Sequence, residues 1–149
     1  MKIFLASDHA GFELKNHLVL YLNSHGFTAI DKGPFSLDPK DDYPDFIKLA
    51  VQEILNEPNS SKGIILGGSG EGEAMVANRF KGIRATAYYG GNEEIVKLSR
   101  EHNNANVLSL GARFIKKEEA EKAVMLWFET EFSQDERHVR RLAKLDESN

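Results

Sequence analysis

Short apolar runs recur along the chain, each followed by a longer stretch in which apolar residues return at helical spacing. Ile3-Phe-Leu-Ala6, Phe27-Thr-Ala-Ile30, Ile64-Ile-Leu66, Ile83-Arg-Ala-Thr-Ala87 and Val107-Leu-Ser-Leu110 read as buried strands. A helix is expected from about Phe12 to Ser24, closed by His25-Gly26, because glycine favours the position just past a helix end. A second follows Pro44, carries Phe46, Ile47, Leu49, Ala50, Val51, Ile54 and Leu55 on its apolar positions, and stops before Pro58. Glu73 to Phe80, Asn92 to about His102, Lys116 to Phe132 and Glu136 to Leu145 are the remaining helices, with Asn92 a candidate N-cap. Lys32 to Tyr43 reads as a loop rich in Gly, Pro and Asp.

Strands alternating with helix-length connections imply a parallel sheet covered on both faces. The expectation is one three-layer α/β domain over residues 1–149 with a C-terminal helical arm, since neither repeat nor linker interrupts the pattern. In such sheets ligands bind beyond the carboxyl ends of the strands. Asp8-His9, Ser69 to Glu73 and Arg113 follow strand ends, whereas His102-Asn103 precedes a strand and must reach a site from elsewhere, for example from another subunit.

Charge and composition narrow the function. A net charge of −4 argues against general binding to nucleic acid or anionic membrane. The absence of cysteine removes disulfides, thiolate nucleophiles and thiolate metal sites, and is compatible with a cytoplasmic location. No apolar run approaches membrane-spanning length, and Met1-Lys2 followed by a short apolar run and Asp8 does not resemble a signal peptide. The five histidines show neither H-x-H nor H-E-x-x-H spacing, so no metal is expected.

The densest candidate chemistry lies in Gly67-Gly-Ser-Gly-Glu-Gly-Glu73. A strand that turns through glycines into a helix leaves amide N–H groups pointing at whatever sits above the turn. The dinucleotide pattern G-x-G-x-x-G fails, because Glu73 stands where the last glycine belongs, and no Lys-Ser or Lys-Thr completes a P-loop. A hydroxyl (Ser69) and two carboxylates (Glu71, Glu73) remain among the amides of Gly68, Gly70 and Gly72. Phosphate would be repelled there. A sugar chain passing through an enediolate would not, with amides stabilising the oxyanion and one carboxylate moving the proton. The alternative is a tight turn in which Glu73 merely complements the helix dipole. Equally, Asp8 can serve as a helix cap, His102 as a helix-terminal histidine, and Arg137 and Arg141, four apart, as one solvated basic face. Convergent guanidinium groups are also what phosphate recognition calls for.

Taken together, Ser7-Asp-His-Ala-Gly11, Ile30-Asp-Lys-Gly33, Asp42-Tyr-Pro44, the glycine turn, Ala77-Asn-Arg79, Gly82-Ile-Arg-Ala85, His102-Asn-Asn-Ala-Asn106, Gly111-Ala-Arg113 and Arg137-His-Val-Arg-Arg141 resemble the type B ribose-5-phosphate isomerases and their galactose-6-phosphate isomerase relatives, in order, from about residue 2 to 145. The resemblance implies a Rossmann-like five-stranded sheet, a homodimer or dimer of dimers with sites shared between subunits, and cofactor-free aldose–ketose isomerisation of a phosphosugar. By the same resemblance Glu73 is the base, Ser69 manages the oxygen-bound protons, and the amides of Gly68 to Gly72 hold the enediolate. His102, helped by Asp8, opens the sugar ring. Asn103 contacts sugar or oxyanion, and His9, Arg113, Arg137 and Arg141 grip the phosphate. Glu71 either faces solvent or tunes Glu73 through like charge. One branch of the family carries a cysteine base at the position of Gly67; this sequence follows the branch with a glutamate at 73. Isomerisation of ribose 5-phosphate leads, against a six-carbon phosphosugar (allose or galactose 6-phosphate), a non-catalytic sugar-phosphate binding module, and a nucleotide-binding domain.

Overall fold

Alternate residues of a buried strand face opposite layers, and the first strand shows this directly. Ile3 and Leu5 join one core cluster, while Phe4 and Ala6 join another on the opposite face. The structure, a computed structural model, describes residues 1–147. Lys2–Ser7 (β1), Thr28–Asp31 (β2), Ser61–Gly67 (β3), Ala85–Tyr88 (β4) and Val107–Gly111 (β5) form a parallel sheet in the order β2-β1-β3-β5-β4. The helices are Phe12–Ser24 (α1), Tyr43–Asn56 (α2), Glu71–Ala77 (α3), Glu94–Glu101 (α4), Lys117–Glu129 (α5) and Glu136–Glu147 (α6). Leu14, Leu18 and Leu22 of α1, Val96 of α4 and Ala123, Val124 and Trp127 of α5 pack on one face of the sheet. Ile47, Ala50, Val51 and Ile54 of α2 and Ala77 of α3 cover the other. This is the expected three-layer α/β architecture with its C-terminal helix. No helix among the described residues is long and apolar enough to cross a membrane.

Several boundaries differ from the periodicity, each for a local reason. Phe27 lies outside β2: its N–H donates to Leu22 O at 3.1 Å to close α1, and its ring packs on Phe128 at 4.9 Å. The third helix starts at Glu71, because Gly70 takes φ 79° and turns the chain into it, and it ends at Ala77. Asn78 then clasps Ala85, accepting its N–H at 2.8 Å and donating to its carbonyl at 2.9 Å. Ile83 is therefore a buried connector and β4 begins at Ala85. Asn92 does not cap in the expected place; its Oδ1 accepts the Glu94 N–H at 3.0 Å and the helix starts after Glu93. Past Glu129 the chain turns extended at Thr130, whose hydroxyl donates back to Leu126 O at 2.6 Å.

Chain direction across the sheet reverses at β1: β2 lies on one side and β3 on the other. The crevice above the carboxyl ends of β1 and β3 is thus the topological switch point, where open α/β sheets bind ligands.

Candidate active site

The three sequence-predicted clusters at strand ends meet in that crevice. After β1, Asp8 donates its N–H to Leu66 O at 3.1 Å, and its carboxylate accepts the Gly11 N–H at 2.9 Å. Asp8 thus holds the turn that leads into α1, whose N-cap is Gly11 without a side-chain cap, and its side chain is buried beside the glycine turn. His9 follows with its ring partly open. Its Nδ1 lies 2.7 Å from Asp41 Oδ1, which also accepts the His9 N–H at 3.2 Å. The hydrogen bond to Asp41 holds the His9 pKa above its ordinary value; the charges of Asp8 and Asp41 act in the same sense, while burial and Arg113 oppose.

The glycine turn is shaped by close approach. A Cβ on Gly67 would collide with the Glu73 carboxyl group, so this glycine makes the room in which the carboxyl sits. Glu73 is only 4% exposed. Burial pushes its pKa up, a hydrogen bond from its own amide opposes, and the Asp8 charge adds to the rise. Glu71, the like-charged neighbour considered from sequence, is exposed. The charge that acts on Glu73 is that of Asp8. Among the described residues the N–H groups of Gly68, Ser69 and Gly70 have no hydrogen-bond partner, and the Ser69 hydroxyl accepts the Glu71 N–H at 3.3 Å. Gly70 is braced from below, its carbonyl accepting the Ser109 hydroxyl at 2.5 Å. Arg113 folds over the turn: a Cβ on Gly68 would stand 3.2 Å from its guanidinium nitrogen. The crevice therefore holds a buried carboxyl group with a raised pKa, open amides and two basic groups, which is what proton abstraction beside an anion-bearing ligand requires.

The remaining predicted residues lie elsewhere in the chain. Helix α4 returns from the carboxyl end of β4 to the amino end of β5, and His102 closes it. His102 and Glu73 are thus separated by roughly 15 Å of strand. The ring of His102 packs on that of His138 at 4.4 Å. His138 is buried at the start of α6, with Ser133 Oγ 3.0 Å from its Nδ1, and burial and the neighbouring His102 lower its pKa. Asn103, Arg137 and Arg141 are exposed around this pair, Arg137 lying 3.8 Å from Asp135. Asp8, expected to assist His102, does not meet it within one chain. The two clusters therefore lie at opposite ends of the strands. Among the described residues no group of three or more His, Asp or Glu side chains is gathered to hold a metal.

Sequence reasoning missed three residues. Tyr43, within the quoted Asp42-Tyr-Pro44 motif, sets its ring against the turn: a Cβ on Gly72 would be 3.1 Å from the Tyr43 hydroxyl. Asp41 fixes His9, and Ser109 braces Gly70. Asp41 and Tyr43 sit at the end of a loop anchored by Lys15, which is fully buried in α1. Its ammonium reaches Asp31 at 2.5 Å and Pro34 O at 3.0 Å, a buried charge that must be paired. The lone lysine at an apolar-face position of α1 was the available signal.

Comparison with known proteins adds independent findings. The family described as Ribose/Galactose Isomerase matches residues 3–145. A protein of Mycolicibacterium paratuberculosis named ribose-5-phosphate isomerase B is 42% identical over 147 residues, covering 99% of this chain and 91% of its own length. The Escherichia coli protein of the same name is 34% identical over 141 residues, covering 95% and 91%. The crystal structure of ribose-5-phosphate isomerase B from Mycoplasma genitalium with bound ribulose-5-phosphate superposes with a TM-score of 0.93 at 37% identity, covering 99% of this chain and 95% of that one. A Thermotoga maritima ribose 5-phosphate isomerase gives a TM-score of 0.90 at 42% identity, covering 98% and 97%.

Proposed function

The chain belongs to the ribose/galactose isomerase family, and on that premise we propose that it interconverts ribose 5-phosphate and ribulose 5-phosphate through an enediolate, with Glu73 as base and no metal. The observation that carries the reading is the buried Glu73 carboxyl, seated in the space left by Gly67 beside the open amides of Gly68 to Gly70. In the open-chain aldose, Glu73 removes the proton on C2. The electron pair forms the C1–C2 double bond, and the carbonyl oxygen becomes an oxyanion held by the turn amides. Glu73 returns its proton to C1 while the proton on O2 passes to O1, with the Ser69 hydroxyl beside that exchange. His9 and Arg113 take the phosphate.

The site is completed by a second copy of the chain. His102 opens the furanose ring, Asn103 contacts the sugar, and Arg137 and Arg141 close on the phosphate, all from the partner, so the working unit is a homodimer or a dimer of dimers. The support is the separation of the two clusters: Glu73 lies beyond the carboxyl end of β3 and His102 before the amino end of β5. The names of the relatives favour the pentose phosphate, and the family's own description makes galactose 6-phosphate the natural comparator. The test is turnover of ribose 5-phosphate, allose 6-phosphate and galactose 6-phosphate in excess EDTA. A higher kcat/KM for the pentose, unaffected by the chelator, is expected. A hexose preference, or a loss restored by a divalent ion, overturns the assignment.

A further inference from the structure

Asp41 is a buried acid to which the reaction just described gives no task. Its side chain is 5% exposed, yet among the described residues one of its oxygens, Oδ2, has no hydrogen-bond partner. The other oxygen accepts twice from a single residue, His9, through the backbone N–H and ring Nδ1. A buried carboxylate with a bare oxygen is costly unless a cation stands against it. Among the described residues the side chain in ion-pair range of Asp41 is His9, at 2.7 Å. The pair is therefore best satisfied with the imidazole protonated, and Nδ1 committed to Asp41 leaves Nε2 as the nitrogen presented to a ligand. This is the arrangement an anion site needs and a neutral, freely rotating histidine lacks.

We propose that Asp41 is the positioning residue of His9: its carboxylate fixes the ring by Nδ1, aims Nε2 at the phosphate of the substrate, and keeps the ring cationic while that phosphate is bound. The proposal rests on reading the crevice as a phosphosugar site. The charged groups facing His9 are Asp8 from the turn after β1, Asp41 from the loop before α2, and Arg113 after β5. Asp41 is thus the partner whose removal leaves burial and Arg113 opposed by Asp8 alone, so the ring pKa falls in Asp41→Asn. Between the two titrations the native ring is charged and the variant ring neutral. Below both, and above both, the two rings carry the same charge, and the variant differs only by the missing Asp41 carboxylate.

The experiment has two arms. In the first, the imidazole nitrogens of His9 are followed by NMR through a pH titration, without substrate, with His9→Gln to assign the signals. The native ring should titrate above about 6.5, the ordinary histidine value, and keep its proton on Nδ1 once neutral. Asp41→Asn should lower the titration. In the second, KM for ribose 5-phosphate and the dissociation constant of inorganic phosphate are measured across the same pH range. The variant-to-native ratio of each should peak between the two titrations, about 10-fold above the level it takes on either side, with kcat changed much less. A loosened fold would raise the ratio at every pH alike. A flat ratio, or a native His9 that titrates at or below the ordinary value or keeps its neutral-ring proton on Nε2, overturns the proposal. The NMR and phosphate arms need no turnover, so absence of isomerase activity would count against the functional reading and not against this one.

Discussion

The Glu73 carboxyl group occupies the volume that a side chain on Gly67 would fill. The end of β3 and the first turn of α3 are therefore matched: one supplies the space and the other the acid. Gly67→Ala tests the match. The added methyl must displace the carboxyl, and overpacking at a buried position typically costs about 1–3 kcal/mol. Isomerase activity is expected to fall by about 10²–10⁴-fold, the usual worth of a general base, in a protein that still melts cooperatively. Near-native kcat in Gly67→Ala would mean that the carboxyl has no need of that space.

The raised pKa of Glu73 has a consequence for stability as well as for rate. Its folded-state value lies above its unfolded value, so the folded protein binds the proton more tightly. Stability from this group is greatest below the unfolded value near the ordinary glutamate range and declines as pH rises through the folded value. Glu73→Gln should therefore raise Tm of the substrate-free protein at neutral pH, and the gain should shrink on acidification. Each pKa unit is worth about 1.4 kcal/mol, or about 2–4 °C per kcal/mol for a chain of this size. Thermal melts at a series of pH values check it; a variant destabilised equally at all pH values contradicts it. In the same sense, native kcat/KM should fall on the acid side at a pH above the ordinary carboxylate range.

The proposal that sites are shared between subunits makes a prediction about mixtures. A dimer of one Glu73→Gln chain and one His102→Ala chain holds one site lacking both groups and one site with both intact. Co-expression of the two weak variants should restore about a quarter of native activity under random pairing of a two-fold dimer. If base and ring opener belonged to one chain, mixing would restore nothing.

The layered fold was legible because strand and helix periods differ and both repeat along the chain. That the glycine turn, Asp8, His9 and Arg113 gather in one crevice was legible because the carboxyl ends of parallel strands lie together. Asp41 was not, since its partner His9 lies 32 positions away and the intervening loop takes its path from the Lys15–Asp31–Pro34 contacts. Nor could periodicity place the start of β4, because the Asn78 clasp on Ala85 depends on a side chain reaching seven residues along. The separation of His102 from Glu73 was visible once β5 was placed after His102.

Ring opening should isolate His102. Ribose 5-phosphate exists mainly as a furanose, whereas ribulose 5-phosphate cannot close one, its 5-oxygen being esterified and its carbonyl at C2. In transient kinetics His102→Ala should slow the ring-opening phase of the aldose by about 10²-fold or more while leaving the proton-transfer step close to native. Equal slowing of both steps would remove His102 from that role.

On the proposed mechanism Glu73 moves the proton. The most direct measurement is deuterium incorporation from D2O into the phosphosugar, followed by NMR, for native protein, Glu73→Gln and Glu71→Gln. The amide keeps the size and much of the hydrogen bonding of Glu73 but accepts no proton. Exchange and kcat should fall together by about 10²–10⁴-fold in Glu73→Gln with KM little changed, while Glu71→Gln, altering an exposed residue, exchanges close to the native rate. Native exchange in Glu73→Gln, or loss of exchange confined to Glu71→Gln, would contradict the account.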